Sequence, residues 1–470
     1  MTEPDSQSTT CELRIELPAD AGSDTTLVCT RRLRDVPGRR HVYEAMWGDL
    51  AVVAKLFCHP TRAAGHARRE VRGLAALRDR AVPAPMVLYA GQLNDGSHVV
   101  ITLRLETDVT PARAVTADRN EAVPWLDVVL LAIANLHAKG ALQRDLHPDN
   151  LLISRGQVCF LDPALVRLSP RAVPRRTALS QVALLLSQFP RLTAADRRAL
   201  TETYAIARGW RPTAADSDRV EHLCLSHTRE RLRRALKKCQ RSNTREVHAT
   251  SAVFEAVFDR RFLGARASDE VAAQLDATMA AGVALKAGRT CSLARVDWDS
   301  ASVVIKRYNP RGTFHAARHT LKGSRARRHW LNSHRLLMLG IPTPRPLAFV
   351  EVRQGLLVVC SYFIMEFIAG RELRDMLLDP DTAEADKQAV VAQVDDMLRC
   401  LGRFRLTHSD LKHRNFLVCG REVFLTDLDG MHEHGSALLY ARARRRDLAR
   451  FARNWDDTPE IGKRFTPLPD

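Results

Sequence analysis

Apolar positions along this chain alternate between two periodicities, and the alternation occurs twice. Short runs rich in β-branched residues come early: VVAKLF at 52–57, MVLYAG at 86–91 and HVVITLRLE at 98–106. Bounded by turn residues such as Asn94, Asp95 and Gly96, they predict strands. Between the first and second runs, Val71, Leu74 and Leu77 recur at three-residue spacing, which predicts a helix with one apolar side. That helix should end before Pro83, because proline disfavours helical geometry in the residue ahead of it. The rest of this segment reads as mostly helical. The order then returns. VVIKRY at 303–308 is followed by a helix ending before Pro342, then by RPLAFVEV (345–352) and LLVVCSYFIMEF (356–367) around Gly355.

Local sequence supports a repeat as well. ARREVRGLAALRDRAVPAP (67–85) matches ARRHWLNSHRLLMLGIPTP (326–344). RDLHPDN (144–150) matches SDLKHRN (409–415), and FLDPA (160–164) matches FLTDLD (424–429) through Asp162 and Asp427. The blocks keep their order, about 260 residues apart, which indicates a duplicated domain rather than a solenoid. The expected fold class is α+β: two tandem bilobal domains, each a small β-rich lobe followed by a helical lobe. The expected divisions are a flexible segment at 1–26, a first domain at 27–241, and a linker plus second domain at 242–470. Residues from about 242 to 290 should link the copies and begin the second small lobe.

Composition narrows the class. The chain has 470 residues, too many for one average domain. Lys plus Arg number 71 against 54 Asp plus Glu, a net charge of +17. That excess favours anionic partners such as lipid headgroups, phosphorylated sugars or nucleic acid. Nucleic acid is not expected, because aromatic residues are only 6% and no stacking or zinc-finger motif appears. The basic runs RERLRRALKK (229–238) and RARRRDLARFAR (442–453) are also explained in part as solvated helix faces. Ten cysteines without a Cys-x-x-Cys pair read as free thiols in a reducing cytosol. The start of the chain lacks the order of a signal peptide. VVLLAIANL (128–136) is too short to span a bilayer, so membrane contact should be peripheral.

The shared residues suit phosphoryl transfer. That chemistry needs charge neutralised on a triphosphate, a divalent metal held by oxygen, and an acceptor hydroxyl held in line. Asp145 and Asp410 stand five residues before Asn150 and Asn415. The carboxylate can accept an alcohol proton, and the amide oxygen can bind metal. Twelve residues after each asparagine comes Asp162 or Asp427, just past an apolar strand, where it can bridge metal and phosphates. Lys55 and Lys306, in apolar strands, can reach phosphate oxygens.

Both segments resemble the protein-kinase-like superfamily, which carries a strand lysine, a helix glutamate, Asp-x4-Asn and a later metal-binding aspartate. HSDLKHRNFLV, FLTDLDG and RRHWLNSHRLLMLGIPTPRPLA look like the bacterial lipopolysaccharide core kinases, which phosphorylate heptose or Kdo sugars. The resemblance covers roughly 30–240 and 280–455. It implies ATP and Mg²⁺ as cofactors. Asp145 and Asp410 would be catalytic. Lys55, Glu70 and Lys306 would hold the nucleotide, and Asn150, Asp162, Asn415 and Asp427 the metal. It further implies a lipopolysaccharide core or other anionic glycolipid acceptor at the cytoplasmic face of the inner membrane.

The departures bear on activity. Neither copy has a clear Gly-x-Gly-x-x-Gly loop; Gly38, Gly48 and Gly288 are isolated. Gln143 stands where the superfamily has His, and Pro163-Ala164 follows Asp162. His329 replaces the helix glutamate in the second copy. On the retention of Glu70, the first copy reads as slightly better equipped. Alternative readings are a tandem pseudokinase scaffold, or a kinase acting on a protein or small molecule. Glu70 could instead be a solvated helix residue. His408 reads as structural to its loop, His432 and His434 as exposed, and Trp298 and Trp330 as core.

Overall fold

The computed structural model describes residues 10–22, 25–36, 38–107, 119–299, 301–309 and 323–466. The chain forms two compact units, Met1–Thr228 and Arg229–Asp470. The division falls inside the helix Ala214–Lys238. Each unit combines an antiparallel sheet with helices that follow it along the chain, a mixed α+β arrangement.

In the first unit the sheet has six strands, in the order Thr10–Glu16, Thr26–Val36, Arg40–Trp47, Leu50–Phe57, His98–Leu103 and Val87–Gln92. Side chains alternate between faces with a period of two. On Leu50–Phe57, Val52, Ala54 and Leu56 therefore enter one core with Leu27, Ala45 and Ile101. Phe57 points the other way, packing with Val100 against Ala63 and Ala67 of the helix Ala63–Arg78. Lys55 shares that second face, so the pleat itself aims it at the helix. Residues 10–16 depart from the flexible segment expected over 1–26. They pair with the next strand from Thr10↔Arg31 to Glu16↔Thr26, and Ile15 and Leu17 are buried. Residues 1–9 lie outside the described residues.

The helical part of the first unit packs Arg119–Ala138, Arg175–Leu186, Ala194–Ala207 and Ala214–Lys238 around Leu126, Ile133, Leu179, Leu186 and Tyr204. The run at 128–136 belongs to a 20-residue helix. Among the described residues, its stretch Glu121–Ala138 is the one helical span long and apolar enough to cross a membrane. Leu126, Val129, Leu130 and Ile133 nevertheless lie in the protein core.

The second unit has a seven-stranded antiparallel sheet, in the order Glu246–Thr250, Phe254–Asp259, Pro346–Gln354, Leu357–Glu366, Ala301–Tyr308, Cys291–Trp298 and Val283–Lys286. The stretch expected to link the copies and begin the second small lobe is built into this sheet from Glu246 onward. Phe254 to Phe258 pair with Val352 to Ala348. Phe254, Ala256 and Phe258 enter one core, while Val257 enters another with Trp330 and Phe349. A strand covered on both faces reads as a short apolar run without polar alternation, which is why FEAVFD gave no clear strand signal. Trp330 is fully buried and its indole N–H donates to the Cys239 carbonyl at 3.0 Å. Trp298 stacks on Phe262.

Two predictions follow from this packing. Phe258→Ala should destabilise the second unit by about 3–5 kcal/mol, the usual cost of emptying a buried aromatic site. A linker residue would change stability by less than about 0.5 kcal/mol in the same denaturant titration. In the first unit, His137 is buried against the Tyr204 hydroxyl at 2.7 Å, and burial pushes its pKa down to about 3. The unfolded chain binds a proton near pH 6.5 and the folded one does not. Stability should therefore fall by about 1.4 kcal/mol per pH unit from this group as pH drops from 6.5 towards 3. His137→Gln should flatten that slope in urea unfolding measured from pH 7 to 4.

Candidate functional site

In each unit the sheet lysine meets the segment carrying the later aspartate, and that segment is hydrogen-bonded to the Asp-x4-Asn loop, Leu161 N–H donating to the Asn150 carbonyl at 2.9 Å and Thr426 N–H to the Asn415 carbonyl at 2.8 Å. In the first unit, Lys55 forms an ion pair with Glu70 and donates to the Leu161 carbonyl at 3.0 Å. Glu70 is 1% exposed, which excludes the solvated-helix reading. Burial pushes its carboxyl up, with Lys55 opposing and Asp162 adding to the rise. Glu70 Oε2 has no hydrogen-bond partner. For Asp162, burial is outweighed by Lys55 and Arg40, which hold its carboxyl below the usual range. Arg40 reaches it at 3.2 Å.

Helix Ala63–Arg78 lies directly on the loop after Asp162. A Cβ on Gly73 would stand 2.5 Å from the Pro163 carbonyl oxygen, so only glycine allows that approach. Pro163 also sets the backbone ahead of it. Asp162 sits at φ −127°, ψ 73°, consistent with the restriction proline places on its predecessor. The 145–150 loop is closed by Asn150 Nδ2, which donates to the Asp145 carbonyl at 2.9 Å. Gln143 donates to the Asp162 carbonyl at 2.7 Å.

The second unit meets the same demands with different groups. Lys306 is buried and pairs with Asp427, with Asp429 at 3.5 Å. Burial acts to lower the Lys306 pKa, but Tyr308 and the two carboxylates outweigh it, and the lysine stays charged. Asp427 is held well below the usual carboxylate range, Lys306 overriding its burial. Arg325 closes the far side of Asp429 at 2.6 Å and lies over the Tyr308 ring. Asp427 adopts the left-handed conformation, φ 61°. Such backbone in a non-glycine residue is concentrated at functional sites.

His329 occupies the place of Glu70 and makes no ion pair with the lysine. Its ring stacks on Phe363 at 3.9 Å. The Leu428 N–H donates to Nε2 at 3.4 Å, so Nδ1 carries the proton and donates to the Tyr308 hydroxyl at 3.0 Å. Burial, reinforced by Lys306, pushes its pKa well down and keeps it neutral. Asn332 ties the same helix to the loop, donating to the carbonyls of Leu428 and Met431 at 2.8 and 3.1 Å.

The loop at 408–415 is held from outside. Asp447, on helix Ala437–Ala452, accepts the backbone N–H groups of His408 and Ser409 at 2.6 and 2.9 Å. His408 Nε2 donates to the Thr426 carbonyl at 2.9 Å, which bears out its structural reading. Asn415 Nδ2 donates to the Asp410 carbonyl at 2.7 Å. Asp410 is paired with Arg450 and, at 3.1 Å, with Lys412.

Among the described residues no group of three or more His, Cys, Asp or Glu side chains stands ready to hold a metal ion, so a divalent cation would have to draw on amide and carboxylate oxygens. In both units the asparagine amide N–H is committed to the loop, which leaves Oδ1 as an oxygen donor. Glu70 Oε2 is a buried oxygen without a partner in the first unit, and Asp427 with Asp429 form an anionic pair in the second. Oxygen-only donors of this kind suit Mg²⁺. Sequence reading missed Gly73, Arg325, Asp429, Asp447 and Arg450. Asp429 stood in view in FLTDLDG, two residues after Asp427. Asp447 and Arg450 act from a helix with no local motif, so only the folded chain reveals them.

Residues 287–466 match the model of the lipopolysaccharide kinase (Kdo/WaaP) family. The matched segment contains Lys306, Asp410, Asn415, Asp427 and Asp447, so the expected family resemblance holds for the second unit. No curated protein matches the chain.

Gly73 provides a test of the helix–loop contact. Gly73→Ala should cost about 1–3 kcal/mol, because the obstacle is backbone and cannot rotate away. Gly65→Ala in the same helix meets nothing within 4 Å. It should be stabilising by about 0.5–1 kcal/mol through helix propensity. Equal shifts of the two variants in thermal unfolding would contradict the close approach.

Proposed function

We propose, from the premise that residues 287–466 are a lipopolysaccharide kinase (Kdo/WaaP) family domain, that this protein transfers the γ-phosphoryl group of ATP to a sugar hydroxyl of lipopolysaccharide core. The acceptor sugar is heptose or Kdo. The reaction takes place at the cytoplasmic face of the inner membrane. Both units are kinase-like bilobal domains arising from duplication, a reading supported by the shared order of lysine strand, helix, Asp-x4-Asn loop and later aspartate.

The observation that carries the proposal lies within the family-matched segment: Lys306 pairs with Asp427, and the loop bearing Asp410 and Asn415 is joined to the neighbouring Thr426, whose N–H donates to the Asn415 carbonyl at 2.8 Å. Bound Mg²⁺ would neutralise charge on the triphosphate. Asn415 and Asp427 would hold it through oxygen, Lys306 would bind phosphate oxygens, and Asp429 would keep Lys306 in place once Asp427 turns to the metal. Asp410 would orient the acceptor hydroxyl and take its proton late in transfer. Lys412 and Arg450 beside it would favour the anionic transition state.

The second unit is assigned as the working domain, reversing the preference for the first that Glu70 suggested. In its favour are the family match, the left-handed Asp427 and the anchoring of the loop by Asp447. In the first unit, Asp162 lies ahead of Pro163, and Val182 stands the same distance after Gln143 as Asp447 stands after His408. Lys55, Glu70, Asp145, Asn150 and Asp162 suit a nucleotide-binding partner domain.

The test is transfer from labelled ATP with Mg²⁺ to dephosphorylated lipopolysaccharide core. Asp410→Asn should lower the rate by about 10²-fold or more, the usual contribution of a positioned base. Loss confined to Asp145→Asn would move the activity to the first unit. No transfer by the unmodified protein would favour the pseudokinase scaffold, or a protein or small-molecule acceptor.

A further inference from the structure

Helix Ala437–Ala452 presents two faces of different chemistry. Arg444, Asp447 and Phe451 are buried. From this side Asp447 holds the loop at His408 and Ser409, while Arg450, on the flank between the two faces, pairs with Asp410. At 3.6 residues per turn, the opposite face carries Leu438, Leu439, Arg442, Arg445 and Arg446, continued by Arg453 just past the helix end. All six are exposed. Leu438 is 83% exposed and Leu439 65%. Asp447 is the helix's one acidic residue and lies on the buried side. Among the described residues no ion pair involves Arg442, Arg445 or Arg446.

Two large apolar side chains beside a row of unpaired arginines define the partner. A soluble polyanion would use the arginines and leave both leucines in water. An anionic bilayer serves both groups, with headgroups against the guanidinium groups and the acyl boundary against the leucines. We infer that this face docks on an anionic lipid bilayer and thereby presents Asp410 to an acceptor held in that bilayer. The inference rests on the proposed glycolipid acceptor. The mechanical link is on the same helix: Arg446 belongs to the docking face, and Arg450, one turn later, touches Asp410.

Co-sedimentation of the full-length protein with vesicles, without nucleotide, tests the docking directly. Vesicles of phosphatidylglycerol and phosphatidylcholine should bind the protein, and phosphatidylcholine alone should not. Each arginine near an anionic surface strengthens binding about fivefold, so Arg442→Gln/Arg445→Gln/Arg446→Gln should weaken it about a hundredfold. Leu438→Ser/Leu439→Ser should weaken it about tenfold or more. Both variants replace only exposed side chains, and unchanged thermal unfolding confirms that they fold. Failure of the unmodified protein to bind anionic vesicles overturns the inference. So does loss of binding through the arginines with none through the leucines, which would mark a surface for soluble polyanions such as RNA. Because this readout needs no phosphoryl transfer, it separates the two claims. Correct vesicle binding with no activity on lipopolysaccharide core would sink the functional reading and leave the docking face. Activity with docking variants that bind as the unmodified protein does would do the reverse.

Discussion

A lysine ammonium taken largely out of water under the central strands of each sheet needs a counter-charge, and much of each site is arranged to supply it. An unpaired charge in such surroundings costs several kcal/mol and is not tolerated. The strand pleat puts Lys55 and Lys306 on the face away from solvent, so the compensation must come from whatever packs there. In the first unit it comes from the helix: Glu70, itself sealed from water, binds the lysine. In the second it comes from the loop after the aspartate strand, through Asp427 and Asp429.

That difference propagates through the neighbouring contacts. Where the helix supplies the carboxylate, it must lie close to the loop, and Gly73 removes the side chain that would block Pro163. Where the loop supplies it, the helix is freed from charge pairing. His329 then serves as a neutral wedge between Tyr308, Phe363 and Leu428, and Asn332 replaces the bare glycine contact with two hydrogen bonds. Each solution is internally consistent, and mixing them is costly. A carboxylate at 329 would lose the stacking of the ring on Phe363 and would compete with two acids already paired with Lys306.

What could be read from the sequence follows from the range of each interaction. Strands with clear turn signals and the helices ending before Pro83 and Pro342 were legible, because their causes are local. The lysine and Asp-x4-Asn positions were legible because they recur in the same order, about 260 residues apart. The hairpin at 246–259 was not, since a strand buried on both faces has no alternation to read. Nor was the ordering of residues 10–16, where pairing with Thr26–Arg31 supplies what the local sequence does not. Asp447 was hidden for the same reason: its role is set by two backbone N–H groups nearly forty residues away.

The anchoring of the 408–415 loop from helix Ala437–Ala452 also bears on where chemistry can occur. Asp447 holds the loop backbone while Arg450 pairs with its aspartate, so the helix is tied to the loop at His408, Ser409 and Asp410. Burial pushes the Asp447 carboxyl up, with the N–H groups of His408 and Ser409 opposing. Any surface that captures the outer face of this helix therefore sets the orientation of Asp410 without contacting it. For an acceptor confined to two dimensions, orientation of the whole domain replaces part of what a deep binding pocket would otherwise provide, since proximity and alignment account for much of the barrier in a bimolecular transfer. A row of arginines with two leucines on the solvated face of a helix can thus belong to the catalytic design while standing outside the cluster of reacting groups.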